Sequence, residues 1–89
     1  MLSEEIEIIN HLGLHARAAA KFVSTTTRFE SIIKISKDGR DVDGKSIMSV
    51  MMLAASCGST VEISCDGSDE ADALTAIKAL INDRFGEEQ

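Results

Sequence analysis

Four short segments alternate between apolar and polar residues, and this period-two pattern restricts the fold more than any other feature of the chain. The segments are residues 5–9, residues 33–36, a weaker stretch at residues 40–43, and residues 60–65. Each alternation predicts a strand with one buried face, so Ile6 and Ile8 should point inward in the first strand. The third stretch offers only Val42 as an inward residue, which favours a position at the edge of the sheet.

Three further segments carry apolar residues at helical spacing. They are residues 16–27, a short helix from Ser46 to about residue 54, and a last helix that begins at Ser68 or Asp69. Within the first helix, the residues expected to face the core are Ala16, Ala19, Ala20, Phe22 and Val23. After the last helix, Phe85 can still pack, whereas residues 86–89 should fray.

The predicted element order is βαββαβα in 89 residues, which is enough for one small domain. We therefore expect residues 1–89 to form a single α+β domain. The economical arrangement is an open-faced two-layer sandwich, with a four-stranded, mostly antiparallel sheet that carries three helices on one face.

Composition excludes several classes of function. A net charge of −6 and only three aromatic residues argue against nucleic-acid binding. The longest apolar run, residues 50–55, is too short for membrane insertion, and the acidic start lacks the basic region of a signal peptide. Cys57 and Cys65 are therefore expected to be small buried thiols in a reducing cytoplasm. The two histidines and two cysteines lack metal-ligand spacing, so neither a metal nor a cofactor is expected.

The candidate functional site is His15, which follows the turn residue Gly13 and precedes a strong helix-forming segment. This position predicts a helix N-cap, where the amides of Ala16, Arg17 and Ala18 lack intrahelical acceptors. A helix start with free amides attracts anions, and the Arg17 guanidinium can bind two phosphate oxygens. An imidazole at such a site points to a histidine that carries a phosphoryl group. His11 is interpreted as a surface histidine.

The segment from Gly13 to Val23 resembles the active-site signature of HPr, the histidine phosphocarrier family of the bacterial phosphotransferase system. Residues 44–53 are similar to the second signature of that family, around its regulatory serine. The resemblance implies that His15 accepts a phosphoryl group from phospho-enzyme I, which phosphoenolpyruvate charges, and donates it to a histidine of an enzyme IIA protein. It also implies a stoichiometric carrier rather than an enzyme, and a monomer.

Two features leave alternatives open. Ser46 is explained as the N-cap of the second helix, whereas the resemblance adds phosphorylation by an HPr kinase/phosphorylase. Ile47, Met48 and Met51 crowd one short helix, either as core residues or as an exposed docking patch, with Lys21 in a nearby basic stripe. The resemblance favours the docking patch.

Ala18 departs from the family, which usually has proline at this position.

Two alternatives to a sugar-uptake carrier remain open at this point. Residues 10–15 also look like the nitrogen-related branch, whose signalling does not import sugar. The chain could instead be a non-phosphorylated α/β module that binds an anion or a partner, in which case His15 would be dispensable.

Overall fold

The computed structural model describes residues 1–88 and has the predicted element order. Its strands and helices are β1 (Leu2–Glu7), α1 (Ala16–Thr26), β2 (Ile32–Lys37), β3 (Arg40–Asp43), α2 (Ile47–Met52), β4 (Thr60–Asp66) and α3 (Glu70–Asn82). A short 3-10 turn follows at Arg84–Gly86. No helix within residues 1–88 is long and apolar enough to cross a membrane.

The strands form one antiparallel sheet in the order β1-β4-β2-β3. The two central strands, β2 and β4, pair Ile35 with Ile63, and both side chains are fully buried. The weak strand β3 lies at an edge, as its composition predicts. Asp38 and Gly39 connect β2 to β3 with positive φ angles of 53° and 80°, which is the backbone that an Asp-Gly hairpin turn requires.

The hydrophobic core lies between the inner face of the sheet and the three helices. The inward residues of β4 alternate as expected, since Val61, Ile63 and Cys65 are buried while Glu62 is exposed. The fold class is therefore confirmed as an open-faced two-layer sandwich.

The first helix is rotated relative to its predicted orientation. Ala16 is exposed and Ala20 is half-buried, so the expectation that both face the core was wrong. The residues of α1 that are buried are Ala18, Ala19, Phe22, Val23 and Thr26. The buried stripe includes a polar residue, Thr26, which is tolerated there because its hydroxyl donates to the carbonyl of Gly44 at 2.7 Å.

Two smaller expectations also need correction. The first strand ends at Glu7 rather than near residue 9, although Ile8 is still buried and donates its amide to the Ser59 carbonyl at 2.8 Å. Cys57 is exposed, so it is not the buried thiol that was expected, whereas Cys65 is buried; both thiols are free.

The third helix starts where predicted, but the side chain at its N-cap position is used differently. Asp69 occupies the N-cap position without capping its own helix. Its carboxylate instead accepts hydrogen bonds from the amide of Glu30 at 2.8 Å and the amide of Ser31 at 3.0 Å. Asp69 therefore joins α3 to the segment that precedes β2.

The fraying predicted after Phe85 was wrong for Glu87, whose carboxylate contacts Asn10 and His15. Phe85 itself is fully buried. The last residue of that prediction, Gln89, lies outside the described residues.

Candidate functional site

His15 is the N-cap of α1, as the sequence predicts. Its backbone is extended, with φ −73° and ψ 178°, and its carbonyl accepts the amide of Ala19 at 2.8 Å, the first hydrogen bond of the helix. Its side chain also caps the helix, because the Nδ1 atom accepts a hydrogen bond from the amide of Arg17 at 3.3 Å. The imidazole therefore lies at the positive end of the helix dipole, with Nδ1 towards the free amides.

The opposite side of the imidazole contacts a carboxylate. The Nε2 atom of His15 hydrogen-bonds to the carboxylate of Glu87. The other carboxylate oxygen of Glu87 accepts the side-chain amide of Asn10 at 2.9 Å. The hydrogen bond from Asn10, together with the one from His15, holds the pKa of the Glu87 carboxyl below its ordinary value, so this group is anionic at neutral pH.

These groups line an open cleft at one end of the sandwich. Its lining consists of His11, Leu12, His15, Ala16, Arg17, Glu87 and Glu88. Arg17 is exposed, and so is Leu12, at 67% of its maximal accessible surface. A positively charged guanidinium, exposed helix amides and a half-buried imidazole can together receive an anionic group that arrives from solvent.

The second helix presents an apolar surface. Ser46 is its N-cap, as predicted, and its hydroxyl accepts the amide of Ser49 at 3.3 Å. Of the apolar residues that follow, Val50 is fully buried. The exposed ones are Ile47, Met48, Met51 and Met52, with 42%, 68%, 37% and 59% of their surfaces accessible. The sequence analysis identified the first three and missed Met52.

Lys21, unlike the exposed predicted docking residues of α2, uses its charged group in a contact within the protein. Its ammonium donates a hydrogen bond to the carbonyl of Phe85 at 2.6 Å and is partly buried. The sequence predicts Lys21 as part of a solvent-facing basic stripe, and the structure adds this contact to the C-terminal segment.

Sequence reasoning missed Asn10 and Glu87. They are separated from each other by 77 positions, and no local pattern marks either residue as a partner of His15. The only local sign was Asn10 itself, a polar residue at the start of the loop that leads to His15. Within residues 1–88, no group of three or more His, Cys, Asp and Glu side chains could hold a metal ion.

Together, the fold and the cleft define a small open-faced α/β sandwich that presents one histidine at the start of its first helix. Such a protein presents an imidazole beside helix amides and a guanidinium, groups that attract anions.

Comparison with known proteins extends this description. Residues 2–83 match the family model described as the HPr component phosphorylation site of the phosphotransferase system. The phosphocarrier protein HPr of Cupriavidus necator is 56% identical over 87 residues, with 98% of both chains covered.

Solved structures agree with the sequence comparisons. A crystal structure of HPr from Thermoanaerobacter tengcongensis covers both chains completely, with a TM-score of 0.97 and 47% identity. An HPr dimer from the same organism covers 98% of this chain and all of its own, with a TM-score of 0.79 and 47% identity. The chain belongs to the HPr family of the phosphotransferase system, and it is a phosphocarrier rather than a catalyst.

Proposed function

We propose that His15 carries the phosphoryl group and that its Nδ1 atom is the site of attachment. The observation that carries this proposal is the position of Nδ1 at the N-cap, aimed at the amide of Arg17. A nitrogen that accepts a hydrogen bond has an available lone pair and can attack phosphorus. A phosphoryl group bound there would lie beside the amides of Ala16, Arg17 and Ala18, at the positive end of α1.

Arg17 supplies charge stabilisation in this proposal. Its guanidinium is exposed at the edge of the cleft, two residues beyond His15. A planar guanidinium can bind two oxygens of the group in transfer and so stabilise the charge that develops in the transition state. Ala18 is fully buried, so its contribution is limited to the backbone amide.

The donor is proposed to be the phosphohistidine of enzyme I, and the acceptor a histidine of an enzyme IIA protein. Both would dock on the apolar surface of α2, the helix that packs against α1, where Ile47, Met48 and Met51 are exposed. Methionine side chains adapt to different partners, which suits a carrier that must bind a donor and then an acceptor. Arg17 and Lys21 add positive charge on a protein with a net charge of −6, which favours acidic partner surfaces.

The remaining proposals concern its setting. We propose a cytoplasmic carrier that acts as a monomer in one 89-residue domain, for sugar uptake or regulation. The N-cap contact to Ser49 accounts for Ser46, and phosphorylation there by an HPr kinase/phosphorylase remains a prediction of the family resemblance.

The decisive experiment mixes the protein with phosphoenolpyruvate and enzyme I and follows an acid-labile phosphoryl adduct by intact mass. The wild type should acquire one such group, and His15→Ala should acquire none while keeping its fold. His11→Ala is the matched control, because His11 lines the same cleft but is exposed in the loop. An acid-labile adduct on His15→Ala would show that the carrier site is elsewhere.

A further inference from the structure

Asn10 is a fully buried polar side chain with an unusual use of its hydrogen-bonding groups. Its Nδ2 atom donates to the Gly13 carbonyl at 2.8 Å and to Glu87 at 2.9 Å. Its Oδ1 atom is buried without a hydrogen-bond partner among the described residues. Rotating the amide by 180° would place this oxygen against a carbonyl and a carboxylate, which both repel it. The observed orientation therefore leaves an oxygen unsatisfied in order to bind Glu87, a cost that calls for an explanation.

The backbone that brings Glu87 to His15 is also costly. Arg84 and Phe85 both have a φ of 55°, in the left-handed region that residues with a side chain rarely adopt. The buried Phe85 ring and the Lys21 contact to the Phe85 carbonyl hold this conformation. The unsatisfied Asn10 oxygen, the left-handed backbone before Glu87 and the Lys21 contact all accompany one result. That result is the placement of the Glu87 carboxylate on the Nε2 atom of His15.

The two contacts of the imidazole determine where its proton lies. The backbone amide of Arg17 can only donate, so Nδ1 must carry a lone pair. An ionised carboxylate can only accept, so Nε2 must carry the proton that it shares with Glu87. Glu87 and Arg17 therefore select the same tautomer from opposite sides of the ring.

We propose that Glu87, held by Asn10, is a positioning residue for phosphoryl transfer. It keeps the proton of His15 on Nε2, orients Nδ1 towards the helix amides, and pairs with the positive charge that the ring acquires. This inference rests on the proposed function of His15 and adds the residues that prepare its nucleophilic nitrogen.

The transfer step shows why an anion at Nε2 helps. A bond forms between phosphorus and Nδ1 of His15 while the bond from phosphorus to the donor histidine nitrogen breaks. The donor ring recovers its lone pair and becomes neutral. His15 keeps its Nε2 proton throughout and becomes an N-phosphorylated imidazolium. Glu87 lies on the side of the ring away from the phosphoryl group, so it stabilises this cation without facing the phosphate oxygens.

In a purely structural role, Glu87 would only hold the C-terminal segment against the rest of the domain. The two roles differ in what they require of the side chain. A structural role needs a side chain of the same size and shape as Glu, and Gln has both. The proposed role needs an anion at Nε2. Each oxygen of Glu87 accepts from a different donor, whereas Gln carries no charge and would set its NH2 group against one of the two donors.

The test compares Glu87→Gln and Glu87→Asp with a matched control, Glu62→Gln, which changes an exposed carboxylate on β4, outside the cleft. Rapid-quench kinetics with phosphorylated enzyme I should show transfer to Glu87→Gln about 10- to 100-fold slower, the effect of losing one hydrogen bond to a charged group. Glu87→Asp keeps the charge and should be faster than Glu87→Gln, and Glu62→Gln should match the wild type. The proposal would be overturned if phosphoryl transfer to Glu87→Gln were as fast as to the wild type, or faster than to Glu87→Asp.

A second measurement does not depend on phosphorylation. In ¹H–¹⁵N spectra of the labelled protein, the wild type should show His15 with its proton on Nε2 as a downfield, slowly exchanging signal. That signal should be lost in Glu87→Gln and kept in Glu62→Gln. A wild-type protein with the proton on Nδ1, or an unchanged signal in Glu87→Gln, would overturn the positioning role. Failure of the wild type to accept phosphate would instead overturn the proposed function, so the two failures are distinguishable.

Discussion

The ammonium of Lys21 lies 2.6 Å from the carbonyl oxygen of Phe85, and this contact joins the middle of α1 to the turn that follows α3. Phe85 is fully buried and its backbone is left-handed, so the carbonyl is presented to α1 in a fixed direction. The same turn leads directly to Glu87. The position of Glu87 beside His15 therefore depends on a lysine six residues further along the first helix.

Lys21→Met tests this relationship. The substitution keeps most of the aliphatic stem and removes the donor, so the Phe85 carbonyl loses a charged hydrogen-bond partner. We expect the free energy of unfolding to fall by about 1–2 kcal/mol, measured by urea denaturation. Lys34→Met, at an exposed position on the outer face of β2, is the control and should change stability by less than about 0.5 kcal/mol. Equal stabilities of the two variants would mean that the contact contributes nothing.

Arg17→Ala should slow phosphoryl acceptance by about 10²-fold or more, since it removes one preorganised charge-stabilising donor from the cleft. Arg17→Lys should recover only part of the rate, because an ammonium lacks the planar fork of the guanidinium. Arg28→Ala removes an exposed arginine beyond the opposite end of the same helix and is the control. Single-turnover transfer from phosphorylated enzyme I measures all three. A rate for Arg17→Ala equal to that of the wild type would exclude this residue from the mechanism.

The features that sequence could predict are those with local causes. Period-two alternation located the strands and their inward residues, because adjacent side chains of a strand point to opposite faces. The N-caps at His15 and Ser46 were recognisable because a capping side chain bonds an amide two or three residues away. The His15 end of the candidate site was therefore readable directly from the chain.

The features that sequence missed depend on contacts between distant residues. Asp69 is a good helix cap by local rules, yet it bonds the amides of Glu30 and Ser31 because the fold brings them within reach. Glu87 looks like part of a polar, fraying terminus until the buried Phe85 fixes the turn before it. Neither partner could be identified from spacing, because the relevant distances are set by how α3 and α1 pack on the sheet.

The carboxylate of Asp69 gives a prediction for the acid limb of stability. Hydrogen bonds from the Ser31 hydroxyl and from the Glu30 amide lower the pKa of Asp69 below its ordinary value of 3.8. A pKa that is lower in the folded state means that the unfolded chain binds more protons between the two values. The stabilisation is therefore complete above about pH 4 and is lost as the pH falls through the folded pKa.

Asp69→Asn should accordingly lower stability at neutral pH and flatten its decline below pH 4. Urea unfolding at several pH values measures both effects. Asp72→Asn, at an exposed position in the first turn of α3, is the control and should keep the wild-type slope. If the free energy of unfolding of Asp69→Asn fell as steeply with pH as that of the wild type, Asp69 would not be the source of the acid sensitivity. The source would then be other carboxylates, such as Glu70 and Glu87, whose pKa values are also lowered.

Ser46→Asp tests the proposed docking surface. Aspartate is a good N-cap and its charge suits a helix start, so α2 should fold normally. The new charge lies next to the exposed Ile47 and should repel an acidic partner, which we expect to weaken productive docking about three- to tenfold, mostly through slower association. Ser46→Asn caps equally well without the charge and should behave as the wild type. Identical enzyme I kinetics for both variants would argue against docking at this surface.

Ala18 is the position at which this chain departs from the proline that its family usually carries. It is the third residue of α1, and the hydrogen-bond ladder of the helix begins one residue later, with Ala19 donating to His15. Proline at position 18 would therefore cost no helix hydrogen bond, and its φ is close to the helical value. Ala18→Pro should stabilise the protein by about 0.4–1 kcal/mol by restricting the unfolded chain, provided that the ring fits where the Ala18 side chain is fully buried.

The matched control for Ala18→Pro is Ala20→Pro, which lies inside the ladder and should destabilise the protein by about 3 kcal/mol or more. Thermal and urea unfolding measure both variants. A lower melting temperature for Ala18→Pro would mean that the buried site has no room for the ring. Ala18 also offers a backbone amide that proline lacks, and this amide could donate to the phosphoryl group on His15. Spectra of the phosphorylated protein test this. A large downfield shift of the Ala18 amide upon phosphorylation of His15 would identify it as a phosphate donor. A shift no larger than those of remote residues in α3 would limit the anion site to the amides of Ala16 and Arg17.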